Sequence, residues 1–171
     1  MPLNTMRDLL IDQLNELHAA ERHSLDVLPK LAKAAASPKL ARALRDHAEE
    51  SKEHLSRLND VFEELGVRVR APERAESMAS KGLCRDCLRL AEMKEADPAV
   101  RDAALIAVAQ HVEHDEIAGY GCARTWAELL GQATIASNLR KTLAEERRSD
   151  TDLTRLAESL NKRALAAAAS D

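Results

Sequence analysis

Four long segments of this 171-residue sequence repeat apolar residues at the three- and four-residue steps of an α-helix. In the first segment the apolar stripe consists of Met6, Leu10, Leu14, Leu17, Leu25, Leu28 and Leu31. The four segments span about residues 5–35, 38–65, 98–130 and 134–161, as the cap, proline and glycine signals at their ends indicate. Only five glycines and five prolines are present, which leaves little material for the turns of a β-sheet. The pattern therefore predicts an all-α protein.

The connections between these segments determine how the helices can pack. Short loops at Ser37-Pro38 and at Gly131 make the first two helices, and the last two, antiparallel neighbours. Between the two pairs lies a connection of about 30 residues, which can cross the full length of helices roughly 42 Å long. It contains an extended stretch at Val67–Pro72 and a shorter helix predicted from about Glu76 to Met93. We therefore predict a crossover four-helix bundle with a short extra helix in the crossover.

The bundle is predicted to be a single domain, because a chain of this length can bury one substantial core. We assign residues 1–163 to it. Residues 164–171 are alanine-rich and are expected to form a frayed tail. Pro29 lies inside the first helical pattern and is expected to kink or break that helix.

Composition and charge narrow the class of protein. The net charge of −4 gives no support to nucleic-acid binding, which usually leaves a basic footprint. No apolar run is long enough for a membrane-spanning helix, and the first residues lack the apolar centre of a secretion signal. Three cysteines, an odd number, argue against a secreted disulfide framework, and Cys84 and Cys87 are interpreted as half-buried helical residues. We expect a cytoplasmic protein that binds neither nucleic acid nor membranes.

Acidic residues interrupt the apolar face of the third long helix. Glu113 and Glu116 recur at helical steps with Ile106 and Ile117, so they belong to the face that points into the core. A buried carboxylate without a partner is costly. Tyr120, one turn past Glu116, is expected to pack in the core and to hydrogen-bond a carboxylate.

The two helical hairpins carry matching polar residues on their inward faces. These are Glu21, Glu50 and His54 in the first hairpin and Glu113, Glu116, Glu146 and Asp150 in the second. Counting along the helices places Glu21 and Glu50 level, each roughly 21–22 Å from the first turn, and Glu116 level with Glu146. So many carboxylates at one level cannot all be charged without cations between them. We therefore predict that these seven residues bind two divalent transition-metal ions, iron or manganese, with zinc as a third option.

A set of short motifs extends over nearly the whole chain. They are Ala20-Glu21, Leu28-Pro-Lys-Leu31, His47-Ala-Glu-Glu50, the runs 100–106 and 112–121, and Thr142-Leu-Ala-Glu-Glu146 with Asp150. Together they resemble the YciE/YciF-type bacterial stress proteins of the ferritin-like superfamily. The resemblance implies a rubrerythrin-like four-helix bundle, a carboxylate-bridged two-metal site and a homodimer. For a member that is an enzyme, it implies ferroxidase- or peroxidase-like oxidoreductase chemistry with oxygen or peroxide.

The histidines of the general ferritin-like pattern are displaced in this chain. In that pattern a histidine follows a metal-binding glutamate by three residues on two helices. Glu53 and Ser149 occupy these positions here, so His54 and Asp150, one residue further on, are the predicted substitutes. His47 is interpreted as a residue that orients Glu21 or Glu50.

Two other functional classes are compatible with the same residues. One is a metal-free structural or interaction protein of the stress response, in which the carboxylates form a hydrogen-bonded cluster with arginine and histidine. The other is a DNA-protecting mini-ferritin, which is less favoured because it requires a cage and usually a basic extension. Metal analysis separates the first class from the metal-binding hypothesis, and a mass measurement separates the second.

Overall fold

The computed structural model describes residues 3–71 and 78–168, and five helices account for most of them. They are α1 (Met6–Ala34), α2 (Pro38–Glu64), α3 (Met78–Ala91), α4 (Pro98–Leu129) and α5 (Ala133–Ala168). Within the described ranges there is no strand. The predicted all-α class is confirmed.

Local sequence signals fix the ends of these helices. The Thr5 hydroxyl accepts a hydrogen bond from the Asp8 amide, and the Asp8 carboxylate accepts one from the Thr5 amide, which forms a capping box for α1. Ser37 caps α2, with Pro38 at the first helical position. Gly131, after α4, has a φ of 71°, a left-handed conformation that glycine adopts without strain. These three ends agree with the sequence prediction.

The four long helices form a closed square in cross-section. α1 packs beside α2 and α4, and α5 packs beside α2 and α4, so α1 and α5 are diagonal to each other. α3 lies outside this square, against α1 and α4. The molecule is therefore the predicted ferritin-like four-helix bundle, with a long crossover that carries a short extra helix.

Two apolar layers fill the bundle, one towards each end. The first contains Leu10, Leu14, Leu17, Leu58, Phe62, Ile135 and Leu139 among its buried residues. The second contains Leu28, Leu31, Leu40, Leu44, Leu105, Ile106 and Leu153. Burying side chains of this size contributes about 1.5–3 kcal/mol each. Along every long helix, the residues between the two layers are polar, and this polar layer holds the candidate site.

One buried aspartate fastens the loop between α1 and α2 to the rest of the bundle. Asp102 on α4 accepts hydrogen bonds from the backbone amides of Ala36 and Ser37, at 2.8 and 2.7 Å. Its side chain is only 2% exposed. This contact fixes the height of the first hairpin against the second, and with it the level of their polar residues.

Two helix ends differ from the prediction. α1 runs unbroken through Pro29, because Val27, Leu28 and Leu31 around it are buried and their packing outweighs one lost backbone hydrogen bond; the kink stays a prediction. α3 ends at Ala91 instead of about Met93, and its predicted start near Glu76 lies outside the described ranges. α5 reaches Ala168 instead of ending near Asn161, since alanine is the strongest helix former. The division into a domain at 1–163 and a frayed tail at 164–171 stays a prediction.

None of the described helices combines sufficient length with sufficient apolar character to cross a bilayer.

Candidate metal centre

Every long helix contributes buried polar side chains to the layer between the two apolar clusters. They are Glu21 and Ser24 from α1, His47, Ser51 and His54 from α2, Glu113 and Glu116 from α4, and Glu146 from α5. Each of these residues is at most 5% exposed. Buried carboxylates of this number require partners, cations or protons.

Hydroxyl groups hold one oxygen of each of three carboxylates. The Tyr120 hydroxyl donates to Glu21 Oε1 at 2.6 Å, and Ser24 Oγ donates to Glu116 Oε1 at 2.9 Å. In the same way, Ser149 Oγ donates to Glu113 Oε1 at 2.9 Å. These bonds fix the orientation of each carboxylate and leave its second oxygen for another partner.

The second oxygens have no hydrogen-bond partner. Glu21 Oε2, Glu113 Oε2, Glu116 Oε2, both oxygens of Glu146 and His47 Nε2 are buried and unpartnered. Native proteins rarely leave buried polar atoms unsatisfied, and such atoms usually indicate a function or a bound ion or water. Several of them at one place, all of types that ligate metals, fit a metal centre.

Ser149 also determines the tautomer of His47. Its oxygen lies 3.0 Å from His47 Nδ1 and already donates its hydrogen to Glu113, so it accepts a hydrogen from Nδ1. Burial lowers the pKa of His47 below its ordinary value. The ring is therefore neutral, and the lone pair of Nε2 faces Glu113 Oε1 at 3.4 Å and Glu146 Oε2 at 3.9 Å. A neutral imidazole with a free ring nitrogen is the form that binds metals.

His54 is in a different protonation state. Burial alone acts to lower its pKa, but the nearby carboxylates of Glu146 and Glu21 outweigh burial and raise the pKa to about 10. Its Nδ1 lies 3.1 Å from Glu21 Oε1 and 2.8 Å from Glu146 Oε1, but its hydrogen is directed to Glu21. Its Nε2 lies 3.2 Å from Glu145 Oε2. In the metal-free protein His54 is thus an imidazolium between carboxylates.

The carboxylates divide into groups with raised and with lowered pKa values. Burial raises the pKa of Glu113 and of Glu116 well above the ordinary value, and the charge of Glu146 raises it further. Burial also acts to raise the pKa of Glu146, but His54 and His47 outweigh it and lower the value. Glu113 and Glu116 therefore keep their protons to a higher pH than ordinary carboxyl groups do, and a cation that binds there must displace them.

The ligand atoms fall into two groups that share one residue. His47, Glu113, Glu116 and Glu146 form the first, and Glu21, His54 and Glu146 form the second. Within each group the atoms lie within 4.8 Å of one another. Glu146 belongs to both groups, which is the position of a residue that bridges two ions.

The structure brings together five of the predicted ligands and separates two. Glu21, His54, Glu113, Glu116 and Glu146 lie in the cluster. Glu50 instead faces the surface, where its Oε1 accepts a hydrogen bond from Arg148 at 2.5 Å and its side chain is 37% exposed. Asp150 accepts a hydrogen bond from Gln110 at 2.9 Å, outside both groups.

Helix geometry explains why Glu50 and Asp150 lie elsewhere. On α2 the inward face is formed by His47, Ser51 and His54, which are spaced by four and three residues. Glu50 is one position off that face, and the same holds for Asp150 relative to Ser149 and Glu146. The steps of four and three residues between His47, Ser51 and His54 are present in the sequence. The prediction of Glu50 rests instead on its match with Glu146 in the second hairpin.

Several residues of the site were missed or given another role by sequence reasoning. His47 was expected to orient Glu21 or Glu50, but it faces Glu113 and Glu146. Ser24 and Ser149 were not predicted, and only their positions one turn from Glu21 and Glu146 could have indicated them. Tyr120 does hydrogen-bond a carboxylate, that of Glu21, as expected.

The comparisons with known proteins agree with this architecture. The chain is 39% identical to Protein YciF of Escherichia coli (strain K12) over 166 residues, which cover 96% of this chain and 98% of that protein. The crystal structure of the E. coli stress protein YciF superposes with a TM-score of 0.86 at 38% identity, over 93% of this chain and 98% of that chain.

Two further structures extend the comparison. YcfI from Rhodopseudomonas palustris gives a TM-score of 0.81 at 37% identity, over 90% of this chain and 96% of that chain. A protein from Xanthomonas campestris pv. campestris shares the fold, with a TM-score of 0.74 at 18% identity over 94% of this chain and 96% of that chain.

A family model matches nearly the whole chain, from residue 5 to residue 166. The matched residues include nearly all of the five-helix bundle and its polar layer. The chain belongs to the family described as Domain of unknown function (DUF892).

Proposed function

We propose that the polar layer binds two divalent transition-metal ions. One ion would be held by His47, Glu113 and Glu116, the other by Glu21 and His54, and Glu146 would serve both. The observation that carries this proposal is the set of buried, unpartnered ligand atoms that fall into two groups sharing Glu146. Mixed carboxylate and imidazole ligands favour iron or manganese, and zinc is compatible with them.

The hydroxyl groups of the layer orient these proposed ligands. Tyr120, Ser24 and Ser149 each hold one carboxylate oxygen, so that the free oxygen faces the cluster. Ser149 also keeps the Nε2 lone pair of His47 available. When cations bind, His54 releases its proton, and Glu113 and Glu116 release theirs.

The redox chemistry would come from the metals. A pair of iron or manganese ions in such a layer supplies the capacity to react with oxygen or peroxide, or to oxidise iron. The two apolar layers on either side keep bulk water away from the ligands. Tyr120 lies inside this shielded region with its hydroxyl on Glu21 Oε1, and burial raises its pKa well above 10, so it stays protonated.

Metal analysis tests the proposal directly. The protein is freed of metal with a chelator, reconstituted with Fe(II) or Mn(II), and analysed by mass spectrometry of the metals. We expect about two ions per chain. Glu113→Gln should lower this number, because it replaces a carboxylate ligand by an amide of the same shape. Glu158→Gln, an exposed position on the same bundle, is the control and should leave the number unchanged. A parent protein that binds no metal would overturn the proposal.

A second candidate is a metal-free structural or interaction protein. The contacts of His54 favour it, because the imidazolium lies within 3.2 Å of Glu21, Glu145 and Glu146 and neutralises part of their charge. Arg57 pairs with Glu145 beside it. Under this hypothesis Glu113→Gln changes only stability, whereas under the metal hypothesis it also changes the metal content.

The biological setting is inferred from the relatives. One of them is described as a stress protein of E. coli, which supports a role in the bacterial stress response. We propose a cytoplasmic location as well. We further propose that the protein is a homodimer that binds neither nucleic acid nor membranes. A mass measurement in solution tests the assembly, and a large cage would instead favour a DNA-protecting mini-ferritin.

A further inference from the structure

A surface pocket leads from solvent to one side of the buried cluster. It lies between α2 and α5, has a volume of about 240 Å³, and ends at His47 and Glu113. Ser149 lines its inner part, and Asp46, Glu50, Arg148 and Asp152 line its outer part. A small solute that enters from solvent therefore meets charged residues first and ligand atoms last.

The inner end of the pocket presents unsatisfied ligand atoms. His47 and Glu113 are 5% and 2% exposed, and both His47 Nε2 and Glu113 Oε2 have no hydrogen-bond partner. Both belong to the first ligand group described above. The pocket is thus connected with the cluster through two of its own ligands.

One ion pair crosses the outer end of the pocket. Arg148 on α5 donates to Glu50 on α2 at 2.5 Å, so the pair joins the two walls. The side chains are 55% and 37% exposed, which makes the pair accessible to solvent and weak. The other two acids of the rim pair with arginines of their own helices, Asp46 with Arg42 and Asp152 with Arg155. Among the arginine and lysine ion pairs of the described residues, only Glu50–Arg148 joins two helices across the pocket.

We propose that this pair is a gate for divalent cations, and that Glu50 is a transient ligand that passes them to His47 and Glu113. This proposal rests on the proposed function of the cluster. When the pair is closed, the guanidinium of Arg148 repels a cation both on its way in and on its way out. When Arg148 turns into solvent, the freed Glu50 carboxylate receives the cation at the rim.

The two residues of the gate therefore have opposite effects on the rate of uptake. Loss of the positive charge at Arg148 removes the repulsion and leaves the receiving carboxylate in place. Loss of the negative charge at Glu50 removes the receiving carboxylate and leaves an unneutralised arginine at the rim. A pair that served stability alone would give both substitutions the same consequence, a small change in unfolding with no change in uptake.

Kinetics of cobalt binding tests the gate. Co(II) is mixed with chelator-treated protein and uptake is followed by its visible absorption, and release is then started with excess EDTA. We expect Arg148→Gln to speed both uptake and release, and Glu50→Gln to slow uptake, each by roughly tenfold, the lower range of local charge effects on association rates. The number of ions bound at equilibrium should not change. Arg148→Glu is a second variant, with the same expected sign as Arg148→Gln.

An ion pair between α4 and α5, of similar exposure, supplies the control. Arg140 donates to Glu128 at 2.6 Å, with side chains 60% and 37% exposed, and neither residue lines the pocket. Arg140→Gln and Glu128→Gln should therefore keep the parent rates. They separate an effect of the gate from a general effect of surface charge.

The outcomes distinguish the gate from the metal centre. A parent protein that binds no cobalt overturns both. Cobalt binding with unchanged rates in the Glu50 and Arg148 variants overturns the gate alone, and so does an equal acceleration in Arg148→Gln and Arg140→Gln. A lower number of bound ions in Glu50→Gln also overturns it, because Glu50 would then be a permanent ligand.

Discussion

At the scale of single residues, one serine stands where the ferritin-like pattern predicts a histidine. Ser149 follows Glu146 by three residues, which is where a ligand histidine stands in that pattern. It does not reach the cluster as a ligand but contacts two ligands, Glu113 and His47. The histidine nitrogen is supplied instead by His47, from the neighbouring helix.

This exchange leads to a prediction for Ser149→Ala. The substitution removes the donor to Glu113 and the acceptor for His47 Nδ1, so both ligands lose their orientation. The affinity for Mn(II) should fall by about 10–100-fold, the usual effect of removing a group that orients a metal ligand. Competition with a fluorescent chelator measures it.

The control for that measurement is Ser159→Ala. Ser159 is exposed on α5 and bonds only to the backbone oxygen of Leu156. It should leave the affinity for Mn(II) unchanged. An equal affinity in the Ser149 variant and the parent protein would show that His47 and Glu113 are held without the hydroxyl.

At the scale of helices, the positions of the four long helices and of the short loops between them could be predicted from the sequence alone. Apolar steps of three and four residues, Ser37-Pro38, Asp97-Pro98 and Gly131 located the four long helices and their short loops. Counting residues from those loops brought Glu116 and Glu146 to one level, and both lie in the same ligand group. Helix rise is nearly constant, so height along a bundle can be derived from sequence.

Rotation about the helix axis was harder to derive than height. Successive residues differ by about 100° around an α-helix, so a one-residue choice decides whether a side chain faces the core or the surface. On α2 that choice separates Ser51, which is fully buried, from Glu50, which reaches the surface. The crossing of neighbouring helices sets the final rotation, and a single sequence does not contain those contacts.

Asp102 on α4 holds the loop between α1 and α2 in place. Its carboxylate holds two amides of the α1–α2 loop while it is almost fully buried. Asp97 is a matched contrast, because it also accepts bonds from two amides, those of Ala99 and Val100, but is exposed.

Asp102→Ala should therefore lower the free energy of unfolding by about 3 kcal/mol, since it removes a buried charged acceptor from two amides of the loop. Asp97→Ala should cost only about 1 kcal/mol, the usual value for an exposed helix cap. Urea denaturation of the metal-free protein measures both. Equal losses in the two variants would contradict the structural role assigned to the buried loop contact.

At the scale of the whole molecule, the polar layer lowers stability, and the proposed metal binding would be the function that it serves. Buried residues that carry or store charge lie where a third apolar layer would otherwise join the other two. Without metal, the layer tolerates its carboxylates by keeping Glu113 and Glu116 protonated and by placing a protonated His54 beside Glu146. The stability of the metal-free protein must therefore depend on pH.

The direction of that dependence follows from the shifted pKa values. His54 has a pKa of about 10 in the folded protein against 6.5 ordinarily, so its contribution is complete below pH 6.5 and is lost as the pH rises towards 10. The raised pKa values of Glu113 and Glu116 act in the same direction, above the ordinary 4.5. The lowered pKa values of His47 and His18 act in the opposite direction as the pH falls below 6.5, and those of Glu146 and Glu145 do so as it falls below 4.5.

We therefore expect the melting temperature of chelator-treated protein to fall steadily from about pH 7 to pH 9, since each proton held only by the folded state costs about 1.4 kcal/mol per pH unit. Saturating Mn(II) should reverse this trend, because cations replace the protons and bind more tightly as these leave. Circular dichroism melts with and without Mn(II) measure both. Glu113→Gln should make the metal-free slope shallower, since its amide does not titrate. A melting temperature that stays constant or rises with pH in the metal-free protein would mean that the buried layer is not protonated, and that its charges are neutralised by other means.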